Sequence, residues 1–118
     1  MTIKQVADQL IKLCKEGKVD QVQAELFADN AVSIESNDIF GPKVTEGLAA
    51  IKQKSIHFQS MVQEFHGNEI GSPIFSENHF ALLWKFDVTF KGRPRTQMEE
   101  ICVYKVETGK IVLEQFFY

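Results

Sequence analysis

The chain has 118 residues, 44% hydrophobic and 25% charged, which fits one globular domain over residues 1–118 with a sizeable core. Its net charge of −3 and sequence pI of about 5.6 argue against a nucleic-acid partner, which needs a basic patch or stripe. No apolar run approaches the roughly 20 residues that span a bilayer, and no signal peptide is read, so no membrane partner is expected and the expected location is cytoplasmic.

Thr2 opens the first predicted helix, and Gln5 stands three positions on, as in a capping box. Ile3, Val6, Ala7, Leu10, Leu13 and Cys14 follow at helical spacing on one stripe, and Gly17 stands where helices commonly end. A second, shorter helix carries Val19, Val22, Leu26 and Phe27. Residues 27–30 break the pattern, and the run Ala31 to Glu35 reads as a short strand. Gly41-Pro42 marks a loop, and Thr45 is the expected N-cap of a third helix. Its stripe is Leu48, Ile51, Ser55, Phe58, Val62 and Phe65. Ser55, the polar member, either bonds the carbonyl one turn back or faces a cavity.

After Phe65 the period changes to two. A weak strand falls within His66 to Phe75, interrupted by Gly71 and Pro73. The clearest strand is Phe80 to Phe90, with Phe80, Leu82, Trp84, Phe86, Val88 and Phe90 on one face. Arg95 to Val106 and Ile111 to Tyr118 follow, separated by tight turns at 91–94 and 107–110. Helices first and hairpin-linked strands last predict an α+β fold with helices on one face of a mainly antiparallel sheet. The last strand is apolar on both sides, Ile111, Leu113 and Phe117 against Val112, Phe116 and Tyr118. A sheet with one wet face alternates more cleanly, so the outer face is expected to pair with a second copy through Leu83, Ile101, Val103, Leu113 and Phe117.

Three segments carry a resemblance: Phe27-Ala28-Asp29-Asn30-Ala31 after two helices, Gly47-Leu48-Ala49-Ala50-Ile51 at the start of a long helix, and Gly109-Lys110-Ile111 before the last strand. In this order and spacing the chain resembles the nuclear transport factor two-like superfamily, in its SnoaL-like and ketosteroid-isomerase-like branch. The resemblance implies a cone-shaped α+β barrel, with N-terminal helices packed on a strongly curved sheet around a deep apolar pocket. It also implies a small-molecule ligand and pairing through the outer sheet face. It places a catalytic carboxylate, the general base of the isomerases, at Glu35. The isomerase oxyanion donors would fall at Leu10 and Cys102, which supply no good donor, and this departure argues against ketosteroid isomerase activity. Other pocket-lining positions match Trp84, Phe86, Met98, Glu100, Glu114, Phe116 and Tyr118.

Strand parity groups Glu100 with Met98, Cys102 and Tyr104, and Glu114 with Val112, Phe116 and Tyr118. A one-residue slip would instead turn Glu99 and Gln115 inward. Glu35 ends its strand, either over a cavity mouth or in solvent. Ser55 and Phe58 are the candidate pocket residues of the third helix. The ten Phe residues predict an aromatic core or an aromatic-lined pocket. Cys14 and Cys102 show no CxxC spacing and are expected as buried reduced thiols. His57, His66 and His79 have no metal-ligand spacing, and neither a metal nor a cofactor is expected. Two functions remain: a pocket binding a small, largely apolar organic molecule, with proton abstraction next to a carbonyl as in isomerases, cyclases or dehydratases, and a non-catalytic binding or dimerisation module.

Overall fold

The computed structural model describes residues 1–118. Helix α1 (Ile3–Lys15) starts on its own cap: the Thr2 hydroxyl accepts from the Gln5 amide at 3.2 Å, and the Gln5 side-chain oxygen accepts from the Thr2 amide at 2.8 Å. Two helix-end donors are thereby satisfied reciprocally. Its stripe, Val6, Ala7, Leu10, Leu13 and Cys14, is buried, and α2 (Val19–Leu26) buries Val22 and Leu26 beside it.

Strand β1 runs from Phe27 to Ile34, so it starts earlier than the sequence pattern predicts. The predicted break is a bulge. Phe27 pairs with Ile111 and the next pair is Val32 with Leu113, so β1 carries extra residues between them. Strand β2 (Val44–Glu46) was not foreseen, and it contains Thr45, the expected N-cap. Thr45 pairs with Ser33 across the ladder, and its buried hydroxyl has no partner. Helix α3 (Leu48–Met61) is entered instead through Gly47 at φ 92, a backbone angle that only glycine adopts without strain. The helix ends at Met61. Val62 and Phe65 lie in β3 (Val62–Ile70), where the ladder with the neighbouring strand overrides a helical spacing that continues past Met61 by coincidence.

The remaining strands are β4 (Ile74–Phe75), β5 (His79–Phe90), β6 (Thr96–Glu107) and β7 (Lys110–Phe117). The sheet order is β2-β1-β7-β6-β5-β3, with β4 on β5. Only β1 and β7 pair in parallel. The β6–β7 turn has Thr108 at φ 51 and Gly109 at φ 74, the two positive angles of a turn whose twist matches its strands. Register shifts in β1, β3 and β7 bend the open sheet into a cone wall.

The shift in β7 corrects the parity read from the sequence. Lys105 pairs with Leu113 but Val106 pairs with Ile111, so Val112 is left over. Ile111, grouped above with the outer Leu113 and Phe117, turns inward and is fully buried, on the same side as Glu114. The main core joins α1, α2 and Ile51 of α3 to Phe80, Leu82, Cys102, Tyr104 and Ile111 of the sheet. No helix is long and apolar enough to cross a membrane.

Candidate functional site

Between the three helices and the inner face of the sheet lies a cavity of about 720 Å³. Ligand sites commonly occupy roughly 300–1,000 Å³. Strand parity builds one wall: Trp84 stands opposite Glu100 and Phe86 opposite Met98 on β5 and β6. Glu114 and Phe116 extend it on β7, opposite Tyr104 and Cys102. Leu10, Val22 and Gln23 come from α1 and α2, and Lys54, Ser55 and Phe58 from α3. Phe40 packs on Phe58 and Phe90 with ring centroids 6.2 and 5.5 Å away, so aromatic surface continues around the cavity.

Glu35 sits one residue past β1. Its amide donates to the Lys43 carbonyl at 2.8 Å, which fixes its backbone. Its side chain lines the cavity with 22% of its surface exposed. Oε1 lies 2.9 Å from the Lys54 Nζ, and Oε2 accepts from the Tyr118 hydroxyl at 3.3 Å. Lys54 also donates to the Ser33 hydroxyl at 2.6 Å, and Ser33 donates to Glu114 Oε1 at 3.2 Å. The Phe116 ring lies 5.5 Å from the Lys54 Nζ. Tyr118, Glu35, Lys54, Ser33 and Glu114 thus form one continuous polar chain beside aromatic walls.

Burial pushes Glu100 up to about 7, and the charge of Glu35 adds to the shift. Burial also pushes Glu114 up to about 7, although Lys54 and Ser33 pull it down. Tyr118 is raised by burial and by Glu35 beside it. Both raised carboxyls oppose stability as they ionise. Each holds its proton in the fold above the pH at which the unfolded chain releases it, so stability falls as pH rises from about 4.5 through about 7. Glu114→Gln is therefore expected to raise the melting temperature at pH 8 relative to wild type, with the gain shrinking towards pH 5. A scan of Tm against pH checks this, and equal effects at both ends would show that Glu114 does not titrate in this range.

Ten of the candidate residues border the cavity: Glu35, Ser55, Phe58, Trp84, Phe86, Met98, Glu100, Glu114, Phe116 and Tyr118. Cys102 does not. It is fully buried behind the wall and donates to Glu100 Oε1 at 3.6 Å. Burial and the adjacent Glu100 raise its thiol, which leaves no thiolate for nucleophilic chemistry. Trp84 has Phe86 as its ring neighbour at 5.6 Å and is half-buried at the cavity wall. Its indole nitrogen is buried without a partner. Ser55 accepts from Gln23 Nε2 at 2.7 Å rather than bonding one turn back.

Lys54, Ser33 and Gln23 were missed. The signals were present: Lys54 is three residues from Ile51 and four from Phe58, on the same helical face. Ser33 shares strand parity with Ala31 and Glu35.

The whole chain, residues 1–118, matches the family model of the SnoaL-like domain. The chain belongs to the SnoaL-like family. This SnoaL-like chain is similar to a solved structure from Mesorhizobium loti, a candidate SnoaL-like polyketide cyclase whose name also carries the words carbohydrate phosphatase. The two are 37% identical over 100% of both chains, with a TM-score of 0.91. A protein of ketosteroid isomerase-like fold from Catenulispora acidiphila, solved with trimethylamine, is 14% identical over 100% of this chain and 87% of that one, with a TM-score of 0.78. TerC, co-crystallised with polyporic acid, is 9% identical over 97% of this chain and 88% of that one, with a TM-score of 0.79. At such identities the last two show the fold alone. No functionally curated protein matches the chain.

Proposed function

We propose that this SnoaL-like domain binds a small, largely apolar organic molecule bearing a carbonyl, and that Glu35 removes a proton from the carbon beside that carbonyl. The observation that carries the reading is the placement of Glu35: one backbone-anchored carboxylate at the edge of a large aromatic-lined cavity. Trp84, Phe86, Met98 and Phe116 supply apolar wall, and Glu100, Glu114 and Tyr118 supply polar contacts. A general base so placed suits isomerisation, cyclisation or dehydration of a carbonyl compound. The polyketide-cyclase name of the Mesorhizobium loti relative is in keeping with a carbonyl-rich substrate. The two relatives solved with small organic molecules support the fold as a binding scaffold.

The test uses 2-tetralone, an apolar ketone with acidic hydrogens next to its carbonyl. In deuterated buffer the protein is expected to raise the melting temperature with this ketone present and to accelerate deuterium uptake at the α-carbon, followed by NMR. Binding without exchange would favour a non-catalytic binding module, a reading in keeping with Leu10 and Cys102 at the donor positions of the isomerases. Neither binding nor exchange would overturn both.

The chain is further proposed to act as a single domain that pairs through its outer sheet face. Leu83, Ile101 and Phe117 stand in one cross-strand row, with Ile101 and Phe117 about half exposed at 49% and 47%. A stable pair buries at least roughly 1,200 Å² in total. Light scattering at micromolar concentration is expected to report a dimer, and Ile101→Lys with Phe117→Lys a monomer. A wild-type monomer would remove the proposal. Both cysteines are free and buried, which suits the proposed cytoplasmic location.

A further inference from the structure

We propose that Lys54 is a second catalytic residue, whose ammonium receives the oxyanion formed when Glu35 removes the proton; this rests on the preceding reading of a carbonyl ligand and a Glu35 base. A base alone does not make such a reaction fast. The negative charge that leaves carbon settles on the carbonyl oxygen, and a fixed donor there is usually the largest single contribution to catalysis. Leu10 offers no donor, and Cys102 is buried behind the wall and bonded to Glu100.

Two lysines border the cavity, Lys15 and Lys54. Lys15 is exposed in the last turn of α1. Lys54 is held at the polar chain, with its side chain 21% exposed. An ammonium carries three hydrogens. Ser33 and Glu35 take two of them, at 2.6 and 2.9 Å, and no further protein oxygen bonds the third.

The spacing of base and ammonium matches the substrate. A hydrogen on the α-carbon and the carbonyl oxygen are the two ends of one H–C–C=O unit, so they can meet a carboxylate and an ammonium that themselves touch at 2.9 Å. Glu35 Oε1 takes the proton. The C–H electron pair becomes the carbon–carbon π bond, and the carbonyl π pair moves onto oxygen, which accepts from Lys54 Nζ. Return of the proton from Glu35 to carbon, at the same or a conjugated position, restores the carbonyl and the carboxylate. Throughout, one anion stays beside Lys54: first the Glu35 carboxylate, then the enolate, then the carboxylate again. The cation is never left without its counter-charge in a low-dielectric site, a state that is costly. The substrate class is accordingly an enolisable ketone, with its oxygen at Lys54 and its apolar body towards Phe40, Phe58, Trp84 and Phe86.

The test is the ionisation of bound 2-naphthol, whose neutral and anionic forms differ in absorbance and emission. Glu35→Gln reproduces the charge of Glu35 after it has taken the proton, so Lys54 is then free to hold an anion. In that variant, bound naphthol is expected to ionise at least about tenfold more readily than free naphthol. Adding Lys54→Met is expected to leave naphthol bound but neutral at the same pH, and adding Lys54→Arg to keep it ionised. Neutral bound naphthol in Glu35→Gln, or naphtholate that persists with Lys54→Met, overturns the role of Lys54. If the Met variant does not fold, Glu35→Gln against wild type still decides, because naphtholate no more favoured in Glu35→Gln than in wild type overturns the proposal. Naphthol that binds no variant at all, wild type included, overturns the cavity reading itself and this role with it.

Discussion

Replacing Glu35 by Gln is expected to slow α-proton exchange of a bound ketone by roughly 100- to 10,000-fold with the fold intact. Glutamine keeps the shape of the side chain and an oxygen for the Tyr118 hydroxyl, but removes the basic carboxylate. The variant has a structural cost as well. The Glu35–Lys54 pair is only about a fifth exposed on each side, so losing the carboxylate leaves a mostly buried ammonium without its counter-charge and is expected to lower the melting temperature. Lys54 keeps its bond to Ser33 and its position near the Phe116 ring, which hold the ammonium in place while the base is lost. Exchange followed by NMR, beside circular dichroism for the fold, separates the two effects. A wild-type rate in this variant would move the base to Glu100 or Glu114, two further carboxyls on the sheet wall of the cavity. The pH profile would then discriminate, since either of these becomes a base only as pH rises through about 7.

The legible parts of the fold were those in which one residue's neighbours lie in its own element. The capping box of Thr2 and Gln5 and the α1 stripe are local, and both formed as read. The alternation from Phe80 to Phe90 is long enough to fix one face, and β6 followed with Met98, Glu100 and Cys102 in register. The illegible parts depend on partners distant in sequence. Strand β2 has three residues, too few to show a period, and exists because Val32, Ser33 and Ile34 pair with it. The bulge at Val112 is set by the ladder with β6, and it alone moved Ile111 from the outer face to the core. Cys102 shared the parity of the cavity wall but not its surface, because it packs into the main core with residues of the helices. Lys54 was hidden for another reason. A charged residue on a helix reads as solvated until two acceptors, Ser33 and Glu35, are brought to it from β1 and its end.

Phe80→Ala is expected to destabilise the fold by about 3–5 kcal/mol. Phe80 is 1% exposed and stacks on Tyr104 with ring centroids 4.9 Å apart and an interplanar angle of 23°. It sits where β5 carries two neighbours at once, pairing with Tyr104 of β6 and Phe75 of β4. Truncation removes the transfer energy of the ring and leaves a void that this doubly paired backbone cannot close. Tyr104 would also lose its stacking partner, while its own burial continues to disfavour the phenolate. Against a total of about 5–15 kcal/mol for a domain, the loss is a large fraction of stability. Phe58 provides the contrast. It borders the cavity and is half-buried, so Phe58→Ala removes fewer packed contacts, and its cost is expected to fall below that of Phe80→Ala while ligand affinity drops. Urea titration measures both variants, read at an unchanged slope. A Phe80→Ala loss under about 1 kcal/mol, well short of the range for buried aromatics, would mean that the sheet relaxes to fill the space and that the packed floor of the cone is not where the stability lies.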